Sequence, residues 1–564
     1  MSEHSRRRAL QAGLGLVAGA SVFGLGGAPA AAEGAPPPAG APNPPIDQAP
    51  PHRGRLPWVA DLGDGRYRNP VLFADWSDPD AVRVGEHFYL VASTFNRIPG
   101  LPVLRSTDLV NWSLIGHALT ELEPLDHFAR PQRGGGVWAP ALRHHDGRFW
   151  IFYPDPDHGI FVTTATDPRG PWTRPHALKP GRGLIDPCPL WDDDGQAYLV
   201  HAWAKSRAGI NNLLTLHRMS PDGKSLLDEG QVVVDGNLLP GYTTLEGPKL
   251  YKRDGWYWIF APAGGVKQGW QSAFRSRSIH GPYEDRIVLA QGDTDVNGPH
   301  QGAWVSTATG EDWFLHFQDR EAYGRVVHLQ PLRWRDDGWP VMGVDDGAGL
   351  GSPVAVHAKP RVAPSRITAP PTGDDFAGPA LGAQWVWQAN ADRRWWSLRG
   401  RGLTLACAPS PDTSDLRLLP NVLGQRFPAE VFTATTSLTL STTAPDARAG
   451  LVVLGDTYAW VGLRHDGDRL VLVHRTAGVG AAEVDAVAPT PVPPRHRGPV
   501  RLRVEVGAGA SCRFLADLDG WTPLGEPFPA TPGRWIGATI GLFATAPEGA
   551  GSGVAEFGGF TVTP

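Results

Sequence analysis

Cysteine and methionine are scarce, with three of each in 564 residues. Three thiols, Cys188, Cys407 and Cys512, exclude a disulfide framework and argue against a thiolate zinc site. Cys407 and Cys512 both fall in the C-terminal region and could pair; burial as small apolar side chains is the alternative. Basic clusters are also missing. Beyond the N-terminus there is no Lys/Arg run, and the formal net charge is −5, so nothing in the chain suggests a nucleic-acid partner. Long helical heptads are lacking too. What abounds is glycine (69), proline (55) and tryptophan (22), the composition of an aromatic-rich all-β protein with many turns.

The N-terminus carries the one basic cluster. Ser5-Arg6-Arg7-Arg8 precedes an apolar, glycine-rich run to about Gly27, then Ala28-Pro29-Ala30. Basic, apolar and small-residue regions in that order read as an export signal over residues 1–32, and the paired arginines favour the twin-arginine type. The expected location is periplasmic or extracellular, with no membrane attachment after cleavage. Twin-arginine export moves folded proteins out of a reducing cytoplasm, so the fold should not need a disulfide. Residues 33–64 are Pro/Ala-rich and read as an extended linker.

A repeat organises residues 65–345. Leu245-Glu246-Gly247-Pro248-Lys249-Leu250 reaches the turn Asp254-Gly255 and then Trp256-Tyr257-Trp258-Ile259-Phe260, a strong hairpin signal. Trp138-Ala139-Pro140 with Asp146-Gly147, and Asp186-Pro187-Cys188 with Asp194-Gly195, repeat it; in all three the glycine falls nine residues after the leading residue. Looser copies begin at Asp78-Pro79-Asp80 and His300-Gln301-Gly302, which makes five copies at spacings of 60, 48, 60 and 54 residues. Repeats of this length, each with further alternating runs, predict a five-bladed β-propeller. A second Pro/Ala-rich passage reads as a linker over 346–372. From 373 to 564 short alternating strands predict a β-sandwich. Its Trp385, Trp387, Trp395 and Trp396 could stack on sugar, with core packing the favoured reading.

A propeller brings equivalent positions of its blades to one axis. Asp78, Trp138, Asp186, Glu246 and His300 should therefore meet in one central depression, three carboxyls beside an indole and an imidazole. Crowded carboxyls split their pKa values, and glycosidic cleavage needs such a split: one group protonates the leaving oxygen and one activates water. Asp-Pro and Asp-Gly are also common turn chemistry, but Asp193 and Asp194 hold the turn position of their repeat, whereas Asp186 holds the leading one. His300 by itself reads equally well as a hydrogen-bonded core histidine or as a ligand or metal contact.

Asn69-Pro70-Val71-Leu72 with Asp78-Pro79-Asp80, Gly136-Val137-Trp138-Ala139-Pro140, Ile185-Asp186-Pro187 and Glu246-Gly247-Pro248 resemble glycoside hydrolase family 43, and the last domain resembles the concanavalin-like sandwich of its β-xylosidase and α-L-arabinofuranosidase members. The resemblance implies an inverting glycosidase that removes terminal β-D-xylose or α-L-arabinofuranose from plant cell-wall carbohydrate. Asp78 would be general base and Glu246 general acid, with Asp186 orienting Glu246 and favouring its protonated form by like-charge repulsion. Phe95 and Trp138 would wall the sugar pocket and Arg325 would contact sugar hydroxyls. His300 would be the axial histidine that in some members helps hold calcium or a water; no cofactor is required, and a structural calcium is the one metal implied. Asn96-Arg97-Ile98 departs from the pattern, since many xylosidases carry aromatics there. A retaining propeller glycosidase of the invertase type would want Arg-Asp-Pro where this chain has Ile185-Asp186-Pro187. A non-catalytic carbohydrate-binding propeller and sandwich is the other alternative.

Overall fold

The computed structural model describes residues 56–410, 415–496 and 498–564. The signal expected over 1–32 and most of the linker expected over 33–64 lie outside the described residues. Five sheets, each antiparallel through its four successive strands, follow one another along the chain, their first strands being Asp80–Val84, Ala141–His145, Leu184–Trp191, Lys249–Arg253 and His300–Ser306. Four sheets have four strands each; the fourth blade gains Val344–Asp345 and Gly351–Ser352 at its outer edge. This is the five-bladed propeller that the repeat predicts.

The turns explain how the repeat is built, and where its spacing misleads. Asp146-Gly147 and Asp254-Gly255 have positive φ at both residues, the two-residue hairpin geometry that Asp-Gly favours. Blade 3 instead spends five residues, Asp192–Gln196, between its paired Trp191 and Ala197, and its first strand is bulged between Ile185 and Cys188. Equal spacing therefore hides a shift in register. In blade 3 the left-handed residue is Asp186 itself (φ 55°), whereas in blade 4 it is Gly247 (φ 60°), one position past Glu246.

The ring is closed by the segment before blade 1. Val327 and Leu72 exchange backbone hydrogen bonds of 3.2 and 3.0 Å. Asn69 donates through Nδ2 to the carbonyls of Leu329 and Val354 and accepts from the Leu329 N–H, all within 2.9 Å. Tyr67 adds a buried hydroxyl bond to the Leu329 carbonyl. Satisfying these buried polar groups with partners some 260 residues away in the chain ties the first blade to the last.

The 346–372 connection lies fixed along the propeller. Val356–Ala358 pairs with Arg66–Arg68, Lys359 Nζ sits 2.8 Å from Asp108 Oδ2, and Ser365 donates to the same carboxylate. Composition alone misses this, because the anchors are single polar side chains that find partners on blade 1.

The C-terminal part is two curled nine-stranded sheets face to face. Along Phe432–Thr442 the side chains alternate, with Phe432, Ala434, Thr436, Leu438 and Leu440 turned into the core. Trp385 and Trp387 are buried in that core and Trp395 and Trp396 pack against it, so the tryptophans are packing residues. All three cysteines are free and buried, and Cys407 and Cys512 do not pair. The sandwich core runs on into the propeller through Phe73, Ala322, Tyr323 and Val326.

Candidate active site

The leading ends of the blades surround a pocket of about 420 Å³ at the propeller axis. Asp78, Asp186, Glu246 and His300 line it together, as do Phe95, Trp138 and Arg325. Every site residue expected from the sequence reaches this one cavity.

Asp78 is buried and sits at φ 54°, in the left-handed region that a non-glycine residue enters at a cost. Strain of this kind persists where the surroundings over-determine it. Here Ser77 and Ser93 hydroxyls donate to Oδ2 (2.8 and 2.6 Å), and Arg325 Nη1 donates to Oδ1 at 2.9 Å. The same Arg325 nitrogen reaches Ser77 Oγ, and the guanidinium lies over the Phe317 ring. Arg325 thus holds a carboxylate in place as well as facing the cavity. Held this way, the Asp78 carboxyl lines the pocket.

Asp186 is more deeply enclosed. Its Oδ2 accepts from the Gly247 N–H at 2.7 Å and from Gln301 Nε2 at 3.1 Å. Gly247 is required there: its φ is positive, and a Cβ would lie 2.4 Å from Gln301 Cγ. Burial, and then the charges of Glu246 and Asp78, push the Asp186 carboxyl well above the usual carboxylate range. Asp186 is the carboxyl shut away from water, so burial and like-charge repulsion act on it together. Glu246 is partly exposed, and its Oε1 lies 3.1 Å from His300 Nε2.

The walls are aromatic. Phe95 and Val137 exchange backbone hydrogen bonds, which sets the Phe95 ring 6.2 Å from Trp138. The Trp138 indole donates to the Gly134 carbonyl, and its ring is 6.2 Å from that of Trp535. Trp535 belongs to the sandwich. Its loop is pinned on both flanks: Thr457 bonds to Thr531, and the Gly537 N–H donates to Asp75 Oδ2.

Two models of known families match the chain, "Glycosyl hydrolases family 43" over residues 67–340 and "Beta xylosidase C-terminal Concanavalin A-like domain" over 373–563. A protein of Xylanibacter ruminicola is 43% identical over 410 residues, covering 72% of this chain and 74% of its own. A non-reducing end α-L-arabinofuranosidase of Bacteroides ovatus is 30% identical over 448 residues, 74% of this chain and 80% of that one. The chain belongs to glycoside hydrolase family 43. A β-xylosidase of Formosa agariphila is 35% identical over 64% of each chain. Among solved structures, a xylan β-1,4-xylosidase of Bacillus halodurans superposes with a TM-score of 0.79 at 25% identity, covering 88% of this chain and 100% of that one. The GH43 protein BlXynB of Bacillus licheniformis, in a mutant form, gives 0.78 at 26%, covering 88% and 99%.

As a family 43 glycoside hydrolase, the protein acts on carbohydrate, and its departure at Asn96-Arg97-Ile98 has a structural meaning. Asn96 donates to the Gln388 carbonyl, Arg97 to the Gly537 carbonyl, and Ile98 pairs with Trp387. The stretch docks the sandwich, and the sandwich supplies Trp535 to the pocket. Trp203, Lys205, Gln301, Arg534 and Trp535 are among the lining residues that sequence reasoning missed. Trp203 ends a blade strand and was open to inspection; nothing local marks Arg534 or Trp535.

Among the described residues, no group of three or more His, Cys, Asp and Glu side chains is placed to hold a metal ion. Nδ1 of His300 and Oε1 of Gln301 are each buried without a protein hydrogen-bond partner.

Proposed function

We propose that this hydrolase removes terminal pentose, β-D-xylose or α-L-arabinofuranose, from plant cell-wall oligosaccharides with inversion at the anomeric carbon, after export by the twin-arginine route. The observation that carries the reading is the convergence of Asp78, Asp186 and Glu246, from three blades, in one aromatic-walled pocket that a sandwich loop borders.

In this mechanism Glu246 gives its proton to the leaving glycosidic oxygen as the bond from that oxygen to the anomeric carbon breaks. Asp78 takes a proton from the water whose oxygen forms the new bond on the opposite face. His300 and Asp186 are positioning residues: His300 touches Glu246 Oε1, and Asp186 holds Gly247, the next residue in the chain. Arg325 and the two serines keep Asp78 aimed. Trp138 offers an apolar face to the sugar ring, and the buried Phe95 ring packs edge-on beside it.

A panel of 4-nitrophenyl β-D-xyloside, 4-nitrophenyl α-L-arabinofuranoside and neutral pentose oligomers, with early product configuration followed by NMR, tests this reading. Inverted free pentose is expected. Retained configuration would remove the direct-displacement mechanism, and inactivity on every member of the panel would remove the hydrolysis of terminal pentosides.

A further inference from the structure

The pocket mouth carries two cations that its floor does not explain. Lys205 and Arg534 both line the cavity and both are exposed, one opening the single helical turn Lys205–Ala208 after blade 3's Trp203 and the other on the sandwich loop. Among the described residues neither has a carboxylate within 4.0 Å. Neighbouring arginines do have carboxylate partners. Arg207, 5.6 Å over Trp138, pairs with Asp157 at 3.2 Å, and Arg133 pairs with Asp456.

Arg534 is also held in place. Its guanidinium lies 4.5 Å over the Trp535 ring, which stands against Trp138. Gly134 has φ +79°, and a Cβ there would come within 2.5 Å of Arg534 Cγ, so the side chain occupies space that only glycine leaves open. An arginine ordered before binding loses less entropy when it pairs, and its planar fork matches a carboxylate. Trp535 is itself 39% exposed, which leaves indole surface for a sugar ring.

We propose that Lys205 and Arg534 form a subsite for a uronic acid carboxylate on the leaving-group part of the substrate, with Trp535 stacking on the acidic sugar. This rests on the terminal-pentose reading, in which the pentose fills the floor and the remainder of the oligosaccharide leaves through the mouth. The preferred substrates are acidic oligosaccharides with a terminal pentose, whether the uronate is a glucuronate branch of a xylan or a galacturonate of a pectic chain.

The test uses the full chain and paired substrates: a pentose-terminated oligosaccharide bearing glucuronate, one bearing galacturonate, and each after chemical reduction of its carboxyl to the neutral alcohol. The readout is the ratio of kcat/KM for the acidic over the reduced member. At low salt a ratio of about ten is expected, in line with charge-assisted hydrogen bonds, and it should shrink as salt is added. Lys205→Met and Arg534→Met should each lower the ratio, and together bring it near one. Whichever uronate shows the larger ratio identifies the source. A wild-type ratio of one for both pairs, or a ratio that neither variant changes, would overturn the subsite. Calorimetric binding of the same pairs separates the two proposals. Preference for the acid by a protein that hydrolyses no pentoside would sink the terminal-pentose reading and leave the subsite standing; equal binding would sink the subsite.

Discussion

The Gly247 N–H donates to Asp186 Oδ2 across 2.7 Å and so joins the blade 3 carboxyl to the residue that follows Glu246. Any change at Asp186 is transmitted to the backbone that carries Glu246. Asp186→Ala should therefore lower kcat far more than KM, because the sugar pocket survives while the donor is misaimed. Asp186→Asn keeps an oxygen for the Gly247 N–H and should retain more of kcat than alanine does. Steady-state kinetics on an aryl pentoside decide it; equal kcat in the two variants would mean that the hydrogen bond has no positioning role.

The same carboxyl sets a pH dependence of stability. Its folded-state pKa lies above the unfolded value, for burial first and for the neighbouring charges second. The folded form therefore holds the proton more tightly. The stability this confers is intact below the ordinary carboxylate pKa of about 4 and is lost as pH rises through the raised value. Asp186→Asn is neutral throughout. Its Tm relative to wild type should rise as pH climbs from the acid range toward neutrality, and a difference that is flat or falls with pH would contradict the assignment.

Glu246→Ala should depend on the leaving group. General acid catalysis supplies about 10²- to 10⁴-fold, and a leaving group that departs as a stable anion needs little of it. Loss of kcat/KM should approach that range on a pentose disaccharide and be much smaller on a dinitrophenyl pentoside. Equal losses on both would assign Glu246 some role other than proton donor.

How much of this was legible in the sequence differs by residue. Asp78, Asp186 and Glu246 could be found because repetition marks them, and the resemblance supplied Phe95 and Arg325. The register could not be read: a five-residue turn in blade 3 and a two-residue turn in blade 4 yield the same nine-residue spacing, yet the left-handed residue falls on Asp186 in one and on Gly247 in the other. The pairing of Arg325 with Asp78 was hidden too, because 247 residues separate them. Trp535 was out of reach for a similar reason. It meets Trp138 only once the sandwich is seated, through a loop with no repeat and no motif of its own.

Trp535 provides a test of the sandwich's part in binding. The side chain is 39% exposed, so its removal should leave Tm close to wild type. Loss of one aromatic face should raise KM for oligosaccharides by about tenfold, corresponding to roughly 1–1.5 kcal/mol. Trp535→Ala kinetics alongside a thermal melt check both halves, and an unchanged KM would show that the loop merely borders the pocket.

Asp75 is where the fold and the site are most closely coupled. One carboxylate oxygen accepts from the Arg325 N–H and the other from the Gly537 N–H, each at 3.0 Å. Arg97 lies 3.6 Å away, and Arg426 donates to the Asp75 carbonyl while lying over Trp76. Both arginines are buried, and burial lowers the pKa of each, that of Arg426 to about 10. Removing this anion, whose charge acts on both arginines, leaves two enclosed cations without its compensation, which costs about 3–5 kcal/mol when a buried pair is broken from one side. It also frees two backbone N–H groups, one preceding the Arg325 side chain that holds Asp78 and one at the end of the loop that carries Trp535. Asp75→Ala should therefore lower the free energy of unfolding in urea by that amount and raise KM at the same time. Asp75→Asn retains an acceptor but not the charge, and should fall between wild type and alanine. A cost below about 1 kcal/mol for alanine, the range of an exposed ion pair, would show that the arginines find water instead and that the seam between propeller and sandwich does not depend on this charge.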